Sequence, residues 1–401
     1  MEAFWTPWLH MHQPLIWIDD ILESNLKKMI LSRDSKESWD GKLIARAYKN
    51  PATYIEKLKK YEPKIMLDFS GILLESLNSL SKFLENIEVH GEKIGNIIEY
   101  YKRIMKIFPN SIEFAGTAYS HCYFPVTPER DWEWQVREWQ NVFSSIFGKG
   151  HLKNVKGFWL PEMGVPSYGD KLAKLIKILR DFGYEWIILP IFSLANYERL
   201  GFEERVRYFS KPYKISISGQ EIIVFFSAPY YFLDQQAGMS ASYIYQQCRK
   251  AKEILGGNKP ALIITASDGE NGNVMMNQFF PETYTEFFTR FKDGKVSSIL
   301  VSDFLENYYK DEKLENVELK LVGASWIVGH ERWMWGEKRA SIAKEIDEIS
   351  KIVNETKDEE LIKLLLIAET SCYVYWGTDY WFDQGRKVIK KIKEKITQSY
   401  S

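Results

Sequence analysis

Two carboxylates follow directly on hydrophobic runs, and their surroundings suit sugar chemistry. In Gly157-Phe-Trp159-Leu-Pro161-Glu162 an apolar stretch stops at a proline and presents Glu162 beside an indole. A carboxylate at such a mouth can attack an anomeric carbon, and Trp159 can shape the sugar site. In Ala261-Leu-Ile-Ile-Thr-Ala-Ser-Asp268-Gly-Glu270 a second apolar run delivers two acids two positions apart. Asp268 can protonate a glycosidic oxygen and later activate water. Glu270 can hold a sugar hydroxyl, or raise the pKa of Asp268 by like-charge repulsion.

Three further stretches supply candidate contacts. Trp8-Leu-His10-Met-His12-Gln-Pro14 puts Trp8, His10 and His12 on one face if it is a strand, because alternate side chains share a face. Pro14 then ends the strand. Gly116-Thr-Ala-Tyr119-Ser-His121-Cys-Tyr-Phe-Pro125 places His121 just after another apolar run, where it can bond a hydroxyl at the cleaved bond. Ser325-Trp326-Ile-Val-Gly-His330-Glu-Arg-Trp333-Met-Trp335-Gly336 has three Trp that follow no helical stripe, which reads as a loop exposing Trp326 and Trp333 to sugar. Each stretch has a plainer reading: bonded core histidines, a turn-forming acidic loop, a hydrophobic plug. At least one of the three Trp is expected to be plug.

The elements that position these residues alternate. Apolar runs at 8–12, 65–69, 112–116, 155–160, 186–190, 222–226, 262–266 and 299–302 read as strands. Helical periodicity covers 54–60, 96–108, 133–147 and 171–182. Strand alternating with helix implies a parallel sheet, open or closed into a barrel whose site lies at the strands' C-terminal ends. Ser218-Gly219 signals a hairpin within 213–226. Beyond about Asn307 the pattern turns helical, at 338–354, 358–369 and 384–398. The expected division is a catalytic domain over 1–310 and a helical domain over 311–401 that carries the Trp-rich loop.

Composition bounds the classes. The 401 residues, 45% hydrophobic and 27% charged, make a globular chain with a sizeable core. A net charge of −1 favours neither nucleic acid nor an anionic membrane as partner. No signal peptide or 18-residue apolar run is visible. Three widely spaced cysteines form no disulfide framework or zinc motif, which fits a reduced cytoplasm. The many Lys, Glu and Ile are compatible with a thermophile.

Taken in order, the five stretches resemble glycoside hydrolase family 57. His10–Pro14 is similar to its His-x-His-Gln-Pro block and Gly116–Pro125 to its Gly-Thr-x-Tyr-x-His block. Trp159–Glu162 resembles the nucleophile block, Asp268–Glu270 the acid/base block, and Ser325–Trp335 the Ser-Trp block of α-amylase-like members. The resemblance implies an α/β fold, an incomplete (β/α)7 barrel with a C-terminal α-helical domain. It also implies a retaining mechanism with Glu162 as nucleophile and Asp268 as acid/base, and neither metal nor other cofactor. The implied substrate is an α-glucan such as starch, glycogen or maltooligosaccharide. Amylase, 4-α-glucanotransferase, branching enzyme and amylopullulanase share that chemistry. Two positions depart from the family pattern: Ser227 follows Phe225-Phe226 where an Arg is common, and Cys372 follows Ser371 where an Asp is common. Two rivals of other classes are a metal-dependent deacetylase using His10, His12 and Asp268, and a non-catalytic carbohydrate-binding protein.

Overall fold

The computed structural model describes residues 2–228, 239–270 and 278–399. Among the described residues seven main parallel strands surround one apolar interior, β1 (Ala3–Met11), β2 (Ile65–Phe69), β3 (Ile112–Phe114), β4 (Gly157–Trp159), β5 (Trp186–Pro190), β6 (Gln220–Ser227) and β7 (Ala261–Asp268), and a two-residue strand, Val296–Ser297, pairs parallel with the start of β1. One sheet runs β7-β1-β2-β3 and the other β4-β5-β6. A lone parallel pairing of Gly116 with Phe158 joins β3 to β4. Between β6 and β7 the ladder is open. There Ala228 N–H donates to Ile264 O at 3.2 Å, but no strand pairing forms among the described residues. The barrel is therefore incomplete, as the family resemblance implied.

Side-chain alternation fills it. Phe4 and Trp8 of β1, Met66 of β2, Trp159 of β4, Trp186 and Ile188 of β5, and Leu262 and Ile264 of β7 form one buried inner cluster. Their neighbours, such as Trp5, Leu9, Leu67, Phe158 and Ile263, pack outward against helices. Period-two alternation carries each inner row upward, so the last inward positions at the C-terminal mouth are His10, Asp68 and Asp268. They are register partners on adjacent strands: His10 lies opposite both Asp268 and Asp68. Gly157 on β4 serves the packing, since a Cβ there would lie 2.2 Å from the Trp186 ring.

One expected strand is absent. The run 299–302 leads instead into a helix, Val301–Tyr308. Ile299, Leu300, Val301 and Phe304 enter the inner cluster and seal the barrel floor. Glu113 of β3 accepts bonds from the Ser302 N–H at 3.0 Å and Oγ–H at 2.5 Å, satisfying the helix start. A short apolar run cannot distinguish such a plug from a strand, because both are buried all round. The hairpin is present: Tyr213–Ile217 pairs antiparallel with β6, and Ser218 and Gly219 both have positive φ, 48° and 77°.

After the floor helix, the chain pairs with barrel loops at Leu319 and Ala324 and then forms the Trp-rich segment. Three longer helices follow, Glu337–Thr356, Glu359–Ala368 and Asp379–Ser399, with a short turn of helix at Cys372–Tyr375 between the last two. The Asp358 side chain caps the second of them by accepting from Leu361 N–H at 2.9 Å. Polar ties fasten them to the barrel side: Ser350 Oγ–H and Asn354 donate to the buried Asp131. Among the described residues no helix is long and apolar enough to cross a membrane.

Candidate active site

Glu162 stands just beyond β4 in a backbone conformation that side chains seldom adopt, with φ 57° and ψ 17°. Met163 and His121 also have positive φ, 47° and 63°. Such backbone costs on the order of 1–3 kcal/mol per residue and persists where surroundings over-determine it. Here the surroundings do so through three bonds from two segments. Ser371 Oγ–H donates to Glu162 Oε1 at 2.9 Å, and Trp326 Nε1–H donates to Oε2 at 2.9 Å. Trp326 N–H also donates to the Glu162 carbonyl at 3.1 Å. Both carboxylate oxygens are thus held by residues far away in sequence, which fixes the plane of the group.

Burial pushes the Glu162 carboxyl up to about 7; the Ser371 and Trp326 bonds and the charge of His10 oppose the rise, and the charge of Asp268 adds to it. Asp268, the last residue of β7, is exposed at the barrel mouth. Gly269 follows it closely over β1, where a Cβ would meet Met11 at 2.3 Å. Glu270 accepts from His12 N–H at 3.2 Å, while its buried Oε2 has no partner among the described residues. Its carboxyl is raised to about 8, by burial first and by Asp268 second. That rise favours the protonated acid, which can donate to a hydroxyl. The repulsion between the two acids acts on Glu270, which the Asp268 charge raises. Asn271 and Gly272, which continue this motif, lie outside the described residues.

The histidines correct the sequence reading. His10, expected to bond sugar, has no nitrogen to spare: Nδ1 meets Asp68 Oδ2 at 2.5 Å and Nε2 meets His121 Nε2 at 2.8 Å. Burial acts to lower its pKa, but the charge and bond of Asp68, with Asp268 and Glu270, raise it to about 9. His121 is likewise engaged at both nitrogens, with Nδ1 2.8 Å from Ser371 Oγ. Of the three, His12 alone has a nitrogen without a partner among the described residues: its Nδ1 lies 2.7 Å from Ser70 Oγ, and the buried Nε2 meets none of them. Burial, then the nearby His10 charge, holds it neutral.

His12, His121 and Cys372 have potential ligand atoms within 4.8 Å of one another. The His12 and His121 rings, however, lie parallel, 8° apart with centroids at 4.2 Å. Parallel rings aim their lone pairs side by side rather than at one ion, and His121 has already committed both nitrogens. The set does not converge as a metal site requires.

Aromatic residues line the way out. Trp159 lies under the site, nearly parallel to His10 at 5.1 Å. Trp333, expected as a sugar platform, is 1% exposed and stacks on Tyr123 at 4.2 Å; it is the plug of the loop. Trp335 is 69% exposed and Trp326 37%. Tyr375 lies beside Trp326: its ring is 6.3 Å from Trp326, 5.7 Å from Trp333 and 5.0 Å from Trp376, and its hydroxyl is pushed up by burial and by the charges of Glu162 and Asp268. Sequence reasoning missed Asp68, Ser371 and Tyr375. The available signal for Asp68 was a lone acid in the apolar strand Ile-Met-Leu-Asp-Phe, since a buried charge is the informative exception.

A parallel barrel with carboxylates at its C-terminal mouth, roofed by aromatics from a helical segment, defines a glycosidase-type centre. The sequence model of glycosyl hydrolase family 57 matches residues 2–318, and the chain belongs to that family. No curated protein sequence matches the chain. Among solved structures, a 4-α-glucanotransferase from Thermococcus litoralis superposes with a TM-score of 0.70 at 16% identity, covering 98% of this chain and 60% of that one. A branching enzyme of the same family from Pyrococcus horikoshii gives 0.65 at 15% identity, covering 98% and 88%. An α-amylase from Thermotoga maritima gives 0.67 at 13% identity, covering 100% and 94%. At these identities the likeness is one of fold. The chain spans less than two thirds of the glucanotransferase and most of the other two.

Proposed function

We propose that this glycoside hydrolase acts on α-glucans with retention of configuration, using Glu162 as nucleophile and Asp268 as acid/base. One observation carries the assignment of Glu162: a carboxylate at the barrel mouth has both oxygens fixed by donors, on a strained backbone, within electrostatic reach of a second acid. Strain and desolvation of this kind concentrate where a group must react.

Glu162 attacks the anomeric carbon from the β face. The bond to the leaving oxygen breaks, its electron pair stays on that oxygen, and Asp268 supplies the proton. A β-glycosyl ester of Glu162 results. Water, or a sugar hydroxyl, then gives its proton to Asp268 and attacks from the α face, releasing Glu162 as carboxylate. His12 Nε2 and Glu270 Oε2, both buried and without a partner among the described residues, bond substrate hydroxyls. Trp326 orients the nucleophile, and Trp335 with Tyr375 flanks the sugar path. The α-glucan class is supported by the similar folds of a 4-α-glucanotransferase, a branching enzyme and an α-amylase. Three unpaired cysteines, two of them buried, fit work in a reducing compartment.

A 5-fluoro-α-glucosyl fluoride should trap the ester, and peptide mass mapping should find the label on Glu162. Label on any other residue would remove the assignment.

A further inference from the structure

From Asp68 to Glu162 an unbroken line of hydrogen bonds crosses three elements: Asp68 Oδ2 to His10 Nδ1 at 2.5 Å, His10 Nε2 to His121 Nε2 at 2.8 Å, His121 Nδ1 to Ser371 Oγ at 2.8 Å, and Ser371 Oγ to Glu162 Oε1 at 2.9 Å. All four linking residues are buried. The His10 and His121 rings meet end to end, since a centroid separation of 4.8 Å with nitrogens 2.8 Å apart leaves no room for face-to-face stacking.

We propose that Asp68, His10, His121 and Ser371 form a one-way relay that keeps Glu162 ionised and oriented, with Asp68 as a positioning residue that never touches sugar. The proposal rests on Glu162 being the nucleophile.

The hydrogens can be assigned in one direction. His10 remains a cation to about 9 and donates from both nitrogens, to Asp68 and to His121. His121 must then accept at Nε2, which leaves its hydrogen on Nδ1. That hydrogen goes to Ser371 Oγ, whose own hydrogen goes to Glu162. Every donor beyond His10 points toward the nucleophile, so each bond polarises the next. Asp68 anchors the cation and is itself fixed by Trp8 Nε1–H at 2.7 Å. Without its carboxylate, burial would drive the His10 charge out and the assignment would lose its direction.

The groups facing the line are few. Asp268 and Glu270 face His10, and Asp268 also acts on Asp68. His12 faces His121, whose Nδ1 is 3.9 Å from Glu162 Oε1. Glu162 is met by Trp326, Ser371, Asp268 and His10, while Cys372, Tyr375 and Tyr123 feel its charge.

Asp68→Asn tests the relay through the pH profile of kcat/KM on maltooligosaccharides. The acid limb should move toward higher pH by about one unit, so that activity falls roughly tenfold on that limb and less than threefold on the alkaline side. Ser371→Ala, which cuts the other end, should shift the same limb the same way, and Ser371→Thr should restore it. The double variant should lose no more than the worse single one, because both cut one line. Nitrogen-15 shifts of the wild-type imidazoles at about pH 8 should show His10 as cation and His121 as the neutral Nδ1–H form. A uniform loss with the limb unmoved in both single variants, or a neutral His10, would overturn the relay. Fluoride trapping separates the two failures: label on Glu162 with an unmoved limb sinks only the relay, and label elsewhere sinks the nucleophile itself.

Discussion

At the scale of single residues, the site opposes two demands on Glu162. In the proposed role of nucleophile it must be charged, yet burial disfavours the charge and Asp268 repels it, and together they outweigh the donors that favour it. The free enzyme should therefore lose kcat/KM as pH falls below about 7, tenfold per unit once Glu162 is protonated. A profile flat down to the ordinary carboxylate range would contradict that placement. The same shift has a sign for stability. From 4.5, the ordinary value, to about 7 the folded chain keeps a proton that the unfolded chain releases, so stability falls as pH rises through that window. Glu162→Gln removes the deficit. It should raise unfolding free energy by up to ~3 kcal/mol above neutrality, and by almost nothing below pH 4.5. Thermal unfolding of both proteins at the two extremes measures this; an equal difference at both would mean the charge is not the cause.

Between residues and the whole lie the elements, where the sequence was most legible. Strand runs ending in Pro161 and Asp268 announced barrel edges, because buried parallel strands are apolar on both faces. The two carboxylates were legible for the same reason, as acids where such runs stop. Asp68 was not, since its partner His10 lies 58 residues away and only register brings them level. Ser371 was visible only as part of a departure from the family pattern; its bond to Glu162 spans 209 positions, which no local spacing encodes. The positive φ at Glu162 has no sequence signal either, because a glutamate there goes against local preference and is held by tertiary contacts. The Trp loop divides by burial rather than by spacing. Trp333→Ala should cost ~3–5 kcal/mol of stability, as loss of a buried aromatic does. Trp335→Ala should leave stability unchanged and raise KM for long maltooligosaccharides about fivefold, through loss of ~1 kcal/mol of stacking, with less effect on short ones. Equal KM changes at every chain length would place Trp335 off the sugar path.

Across the whole molecule, the barrel and the helical segment each supply what the other lacks. The barrel brings Glu162, Asp268 and the His10–Asp68 pair to one mouth, and the segments after it bring Trp326 and Ser371 to the oxygens of Glu162. The central claim is that Glu162 and Asp268 act from opposite faces of the sugar, and azide reads this directly. Glu162→Gly suits the backbone, since glycine is at home at φ 57°. Azide can fill the space of the lost carboxylate while Asp268 still protonates the leaving group, which gives a β-glycosyl azide. In Asp268→Ala, a substrate with a good leaving group still forms the ester on Glu162, and azide then displaces it from the α face, giving an α-glycosyl azide. Proton NMR of the two products should therefore show opposite anomers; the same anomer from both variants, or near-normal turnover without azide in either, would contradict the account.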